Sequence, residues 1–183
     1  ALVTGASSGI GLQICYSLAR RGYNIILTSR SENKLKTISE LINSEFGVET
    51  TYFSCDLAEK QGPQNIYNFC ESKNFQVDVL VNNAGYALPD AFEKNSVDDE
   101  ENCIRVLGTS VISLTKLFVR DMIKNNHGKI MIVSSVAAFA PPAAIQVMYG
   151  PLKTFMNRFS EALNINYNSK GITSTALCPG YTV

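Results

Sequence analysis

Tryptophan is absent from the 183 residues of this chain, histidine occurs once, and neither sign of charge is in excess, 16 basic side chains facing 16 acidic ones. That balance, with a pI near 6.8, gives no electrostatic reason to bind nucleic acid or an anionic membrane surface. No run approaches the roughly 20 continuous apolar residues that cross a bilayer, and no membrane partner is expected. The five cysteines, Cys15, Cys55, Cys70, Cys103 and Cys178, are scattered without a Cys-x-x-Cys pair, and His127 sits alone in the polar stretch "NNHGK". Neither a metal site nor a disulfide framework is therefore expected. Buried, reduced thiols fit a reducing compartment, and a cytoplasmic location is the expectation. "ALVTGAS" enters a strand without preamble and "CPGYTV" stops just after a turn. The chain thus reads as a domain core trimmed at both ends, from which an N-terminal signal or anchor could have been lost.

What the chain has is apolar mass: 45% of its residues are hydrophobic, enough for one domain over 1–183 with a sizeable core. Short β-branched runs at 1–4, 24–29, 49–54, 78–82, 129–135 and 172–178 read as strands. Most are continuous apolar runs, the pattern of strands buried on both faces. Amphipathic helices are expected between them at 9–21, 32–45, 58–72, about 98–125 and about 149–168. Such alternation predicts an α/β fold, a Rossmann-like doubly wound parallel β-sheet with helices on both faces. The longest irregular stretches, "NNAGYALPDAFEKNSVDDEE" and "VAAFAPPAAIQVM", follow strand ends on the carboxyl edge, where such sheets bind ligands.

The turn "VTGASSGIGL" places Gly5, Gly9 and Gly11 between the first strand and the first helix. Glycine serves where the chain turns with no room for a Cβ, and where backbone must approach a pyrophosphate. The helix start then offers free N–H groups and partial positive charge to the phosphates. The same triplet would also serve a tight strand–helix connection that binds nothing. Farther on, "YGPLK" sets Tyr149 four residues before Lys153, so phenol and ammonium share one helix face. That pair is either a surface decoration or an acid tuned by a neighbouring cation.

"TGASSGIG", then "NNAG" at 82–85, "SS" at 134–135 ahead of Tyr149 and Lys153, and "PG" at 179–180 occur in one order across the whole chain. Together they resemble the short-chain dehydrogenase/reductase family. The resemblance implies a cofactor site of Gly5, Ser7, Ser8, Gly9, Ile10 and Gly11, with Asn82, Ala84 and Gly85 after the fourth strand. Pro179, Gly180 and Thr182 would complete it after the sixth, and Asp56 and Leu57 would lie at the adenine. Asp56 would equally suit a helix N-cap. After the second strand, where an NAD-preferring enzyme carries Asp or Glu, this chain has Ser29 and Arg30. A guanidinium binds a 2′-phosphate that a carboxylate would repel, so NADP(H) is favoured over NAD(H).

The resemblance further implies that Tyr149 donates a proton to a carbonyl oxygen as hydride arrives, or removes it in reverse. Lys153 would favour the phenolate and also hold the nicotinamide ribose, and Ser135 would bind the carbonyl oxygen. Ser134 competes with Ser135, because the 14 residues from Ser135 to Tyr149 are about one more than the family pattern; Ser135, immediately before Val136, is favoured. A second departure is Arg105, where the family carries an asparagine that anchors a water feeding protons to the lysine. A guanidinium only donates hydrogen bonds, so either Asn102, one turn earlier, covers that function or the proton route runs through solvent. The expected activity is oxidoreduction of a small-molecule carbonyl or secondary alcohol. The alternative is a nucleotide-binding regulatory protein with little turnover. Ala137, Ala138, Phe139, Ile145 and Met148 predict an apolar substrate of modest size, and the two long helices predict a homo-oligomer, at least a dimer, with Phe155, Phe159 and Leu163 at helical spacing.

Overall fold

The computed structural model describes residues 1–141 and 146–181. Six parallel strands, β1 (Leu2–Thr4), β2 (Ile25–Ser29), β3 (Thr50–Ser54), β4 (Val79–Asn82), β5 (Gly128–Val133) and β6 (Ile172–Leu177), form one sheet in the order β3-β2-β1-β4-β5-β6. The helices between them are α1 (Gly9–Ala19), α2 (Glu32–Phe46), α3 (Gly62–Ser72), α4 (Val97–Ile104), α5 (Ser110–Lys124) and α6 (Tyr149–Tyr167). The chain builds outward from β1 to β3, then returns to pair β4 with β1, Leu2 opposite Leu80 and Val3 opposite Val81. That reversal of strand order opens a crevice at the carboxyl ends of β1 and β4.

The inner strands serve two cores, because successive side chains point to opposite faces. Val3, Val79 and Val81 meet Cys15 and Ala19 of α1 and Leu35 and Ile42 of α2. Leu2, Leu80 and Ile130 meet Ile66 of α3, Leu114 and Phe118 of α5 and Met156 of α6. A side chain as buried as Leu80 or Ile66, both 0% exposed, contributes roughly 1.5–3 kcal/mol by leaving water. The two-sided burial explains why these strands read as unbroken apolar runs.

Three predicted boundaries shift. The helix expected from residue 58 begins at Gly62, because Asp56 Oδ1 accepts the Ala58 N–H at 2.9 Å in a separate turn and Pro63 then suits the first helical turn. The strand expected to reach 135 ends at Val133, freeing Ser134 and Ser135 from the sheet ladder. The single long helix expected near 98–125 is interrupted by a π turn over Arg105–Thr109, where the Ser110 N–H bonds back to the Arg105 carbonyl and the Ser110 hydroxyl to that of Val106 at 2.7 Å. By length and composition the helical stretch Val97–Lys124 contains an 18-residue window apolar enough to cross a bilayer. Here Val111, Leu114, Phe118 and Met122 of its second half are buried in the core. On α6, Phe155 and Phe159 stack at 5.7 Å between ring centroids and pack against that core, which Leu163 joins.

Candidate active site

At the carboxyl edge β1 and β4 are laced together. Thr4 Oγ1 donates to the Val81 carbonyl at 3.2 Å and accepts the N–H groups of Asn83 and Ala84 at 2.9 and 3.0 Å. The Asn83 amide returns two bonds, to the carbonyls of Thr4 at 2.8 Å and Gly5 at 3.3 Å. Glycine is obligatory in this knot. A Cβ on Gly11 would stand 2.3 Å from the Gly5 carbonyl oxygen and 2.4 Å from Asn83 Nδ2. Gly5 has φ +65°, and Gly9 φ +54°, conformations that side chains resist. Gly9 differs from Gly11 in one respect: a Cβ there would meet no atom within 4 Å. Its missing side chain leaves open space where the turn lines a cleft of about 1100 Å³. Backbone bared to an open cleft at a helix start is the cradle a pyrophosphate requires, so these residues fit a dinucleotide.

One end of the cleft is polar. Arg30 follows β2 and Asp56 follows β3, and Ser29 Oγ accepts the Ser31 N–H at 3.3 Å. Leu57 lines the same wall while most of its side chain enters the core, at 8% exposed.

The other end carries the tyrosine and lysine. Tyr149 opens α6, and Pro151 falls in the first turn, where no N–H is needed. Lys153 is 4% exposed, with Nζ donating to the Val133 carbonyl at 2.8 Å and standing 5.3 Å from the Tyr149 ring centroid. Burial pulls its pKa from the ordinary 10.5 down to about 8, against the opposing pull of Cys103 and Cys178. The two serines part company here. Ser134 is 2% exposed and spends its hydroxyl proton on the Lys153 carbonyl at 2.8 Å, pinning α6 to β5. Ser135 Oγ only accepts, from the Ala137 N–H at 3.1 Å, so its own proton is free for an oxygen in the cleft. The Val136 N–H donates to the Pro179 carbonyl at 3.0 Å, which holds the turn after β6 against the same segment.

Ser7, Ser8, Ile10, Ala84, Gly85, Pro179 and Gly180 also line the cleft, so it gathers the predicted set with two exceptions. Thr182, like Ile145 of the predicted apolar wall, lies outside the described residues. Asn82 does not reach the cleft: as the last residue of β4 it is 3% exposed and donates to Thr115 Oγ1 of α5 at 3.2 Å. Its neighbour Asn83, past the strand end, faces the cleft instead. Arg105 also lies off the cleft, paired on the surface with Glu101 at 2.9 Å. Asn102 does line it, as do Asp99, Tyr86 and Lys34, which were not anticipated. For Lys34 a signal existed, a cation four residues after Arg30; the other two depend on how the 83–97 segment folds. Of the predicted apolar wall, Met148 packs against the core and Phe139 is 76% exposed.

Comparison with known proteins agrees with this geometry. A family model described as short chain dehydrogenase matches residues 1–183. The chain is 36% identical over 187 residues to very-long-chain 3-oxoacyl-CoA reductase-B of Danio rerio, covering 99% of this chain and 58% of that protein. It is 34% identical over 184 residues to 17-beta-hydroxysteroid dehydrogenase type 3 of Rattus norvegicus, covering 98% and 58%. The chain thus spans a little under three-fifths of these relatives. Among solved structures, a short-chain dehydrogenase from Sphingobium yanoikuyae in complex with NADPH superposes with a TM-score of 0.94 at 28% identity, over 100% of this chain and 70% of that one.

Proposed function

The chain belongs to the short-chain dehydrogenase family, and from that premise we propose that it is an NADP(H)-dependent oxidoreductase that reduces a carbonyl or oxidises a secondary alcohol. The observation that carries the reading is the convergence of Ser135, Tyr149 and Lys153 on the cleft that the glycine turn also lines. A nicotinamide cofactor held there by the turn, Asn83 and the Pro179–Gly180 corner would supply or take up the hydride. The Ser135 hydroxyl donates to the carbonyl oxygen, where negative charge develops. The Tyr149 hydroxyl delivers its proton to the same oxygen in reduction and recovers it in oxidation. Lys153, charged below pH of about 8, keeps a cation beside the phenol and favours the anion that proton transfer leaves.

Arg30 supports NADP(H), since it offers a guanidinium to the cleft where NAD enzymes place a carboxylate. Proton return to Lys153 runs by way of Asn102, because Arg105 is engaged outside the cleft. An extended, apolar carbonyl compound suits the exposed Val136, Phe139 and Val147 on the segments flanking Tyr149. The names of the relatives, an acyl-CoA reductase and a steroid dehydrogenase, point the same way.

The test is absorbance at 340 nm with NADPH and NADH over 3-oxoacyl thioesters, ketosteroids, sugars and simple ketones. Turnover should depend on Tyr149, with Tyr149→Phe losing at least 10²–10⁴-fold while still binding NADPH. Nucleotide binding with no turnover across the panel would favour the regulatory alternative; turnover that persists in Tyr149→Phe would refute the mechanism.

A further inference from the structure

The stripe by which α6 sits on β5 and β6 is polar. Lys153, Asn157, Ser160 and Asn164 recur at spacings of four, three and four, the repeat of one helix face, where a helix packed on a sheet ordinarily carries apolar residues. Lys153, Asn157 and Ser160 are only 4%, 7% and 2% exposed, and each has a partner on the chain beneath it. Lys153 reaches the Val133 carbonyl of β5, Asn157 Oδ1 accepts from the Cys178 thiol just past β6 at 3.4 Å, and Ser160 shares a hydrogen bond of 2.7 Å with the Ser174 hydroxyl of β6. Asn164 binds both backbone groups of Ser174: its Oδ1 accepts the N–H at 2.7 Å and its Nδ2 donates to the carbonyl. Gly171 and Leu177 turn their carbonyls to β5, so Ser174, three residues from each, turns its own outward. Asn164 therefore takes, at the outer edge of β6, the two bonds that a neighbouring strand would take there.

Apolar side chains hold a helix on a sheet by non-directional contact, which tolerates sliding; hydrogen bonds fix distance and angle and do not. Moving α6 along β6 would leave Asn157 and Ser160 in the interior without partners, so one register is favoured. We infer that Ser160 and Asn164 are positioning residues that lock α6 in that register on β6 and so set where the Tyr149 hydroxyl stands relative to Ser135. The inference rests on the oxidoreductase reading, in which both hydroxyls meet one substrate oxygen, and deepens it. Neither Ser160 nor Asn164 lines the cleft. Asn164 lies 15 residues beyond Tyr149, about 22 Å along the helix axis, and a continuous helix carries a displacement at one end to the other. A misplacement of about 1 Å at a reacting group costs on the order of 10²-fold in rate.

The experiment compares the unsubstituted chain with Asn164→Leu and with the double substitution Ser160→Ala/Ser174→Ala, which removes both halves of a buried pair and leaves no hydroxyl unpartnered. Steady-state rates are taken with whichever carbonyl compound of the panel is turned over. The Lys153 titration is followed by NMR of ¹³Cε-labelled lysine, with Lys153→Met identifying its resonance. Each variant should lose about tenfold or more in kcat while KM for the cofactor stays within about twofold. Lys153 should also titrate above its value of about 8, because a helix out of register admits water to the ammonium. Asn164→Gln, which keeps both amide groups, should recover most of the rate and return the titration. A merely structural role would lower the melting temperature and move neither readout. Either readout holding at the unsubstituted value in both variants would overturn the inference, and if Asn164→Leu does not fold, the double variant decides. A chain that turns over nothing in the panel would refute the oxidoreductase reading; the register is then judged by the titration alone, and a Lys153 value unmoved in the variants would overturn it.

Discussion

Replacing Lys153 by methionine should stabilise the folded chain at neutral pH, and the gain should fade as the pH rises above 8. The lysine is almost wholly buried, and burial lowers its pKa from 10.5 to about 8. Each pH unit between those values is worth about 1.4 kcal/mol, so keeping the ammonium inside costs the fold roughly 3 kcal/mol at pH 7. The sign follows from proton binding. The unfolded chain holds the lysine proton up to pH 10.5 and the folded chain releases it near 8, so between those values the unfolded state binds more protons and stability rises with pH. Methionine has no such rise. The variant's advantage should therefore be largest below pH 8, shrink by roughly 3 kcal/mol by pH 10.5 and then level off. Losing the 2.8 Å bond to the Val133 carbonyl and changing the packing displaces the whole difference by a constant, without altering its slope. Urea titrations followed by far-UV circular dichroism at pH 7, 8, 9 and 10 measure it, the chain having no tryptophan to report by fluorescence. A difference that stays constant over that range would show that Lys153 is not a strained cation, and would remove the reason for its holding a charge beside Tyr149 only below pH 8.

Three other perturbations probe separate parts of the cleft. Arg30→Ala should weaken NADPH by roughly 1.5–3 kcal/mol and leave NADH nearly unchanged in fluorescence titrations; an equal loss for both would mean Arg30 serves the fold. Gly11→Ala should lower stability by about 1–3 kcal/mol through its clash with the Gly5 carbonyl, whereas Gly9→Ala, facing open space at φ +54°, should cost about 1–2 kcal/mol in backbone strain yet lose nucleotide binding as fully; equal melting temperatures for Gly11→Ala and the unsubstituted chain would contradict this. Asn102→Ala should reduce turnover at least tenfold and Arg105→Asn should change it less than about twofold in steady-state assays, the reverse outcome showing that position 105 carries the proton route after all.

Strand–helix alternation is legible in the sequence because parallel strands with two covered faces have to be apolar throughout, and glycines at 5, 9 and 11 mark a turn with no room for a Cβ at Gly5 and Gly11 and a positive φ at Gly5 and Gly9. Details that depend on one residue of register are not. Asn82 and Asn83 are the same letter twice, and only the end of β4 at residue 82 sends the first into the core beside Thr115 and the second across to Thr4 and Gly5. Ser134 and Ser135 repeat the case on β5: one residue past the strand buries a hydroxyl against α6, and two residues past frees it for the cleft. Adjacent identical residues separate by the pleat of the strand they leave, a property of pairing rather than of composition. Asp56 shows the limit in another form. Either of its expected roles, cap or cleft residue, suits an aspartate after a strand, and the structure gives it a turn of its own that leaves it lining the cleft as well.

At position 105 the family pattern and the cleft geometry part company, because the arginine that stands there does not line the cleft. An arginine in place of an asparagine reads as a lost relay only if its side chain enters the cleft. The guanidinium instead lies at the surface with Glu101, in an exposed i,i+4 pair that contributes little to stability. The helix departs from α geometry at that point: the π turn over Arg105–Thr109 shifts the hydrogen-bond register by one residue before α5 resumes. Such a turn rotates the residues before it relative to those after it, and it often occurs beside a functional site. Here Asn102 and Val106 line the cleft while Arg105, between them, does not. Under the proposed mechanism, an amide carbonyl therefore remains available to the proton path of Lys153, and it comes from the turn before the interruption. On that reading the residue to test is Asn102, which lines the cleft, ahead of Arg105, which does not.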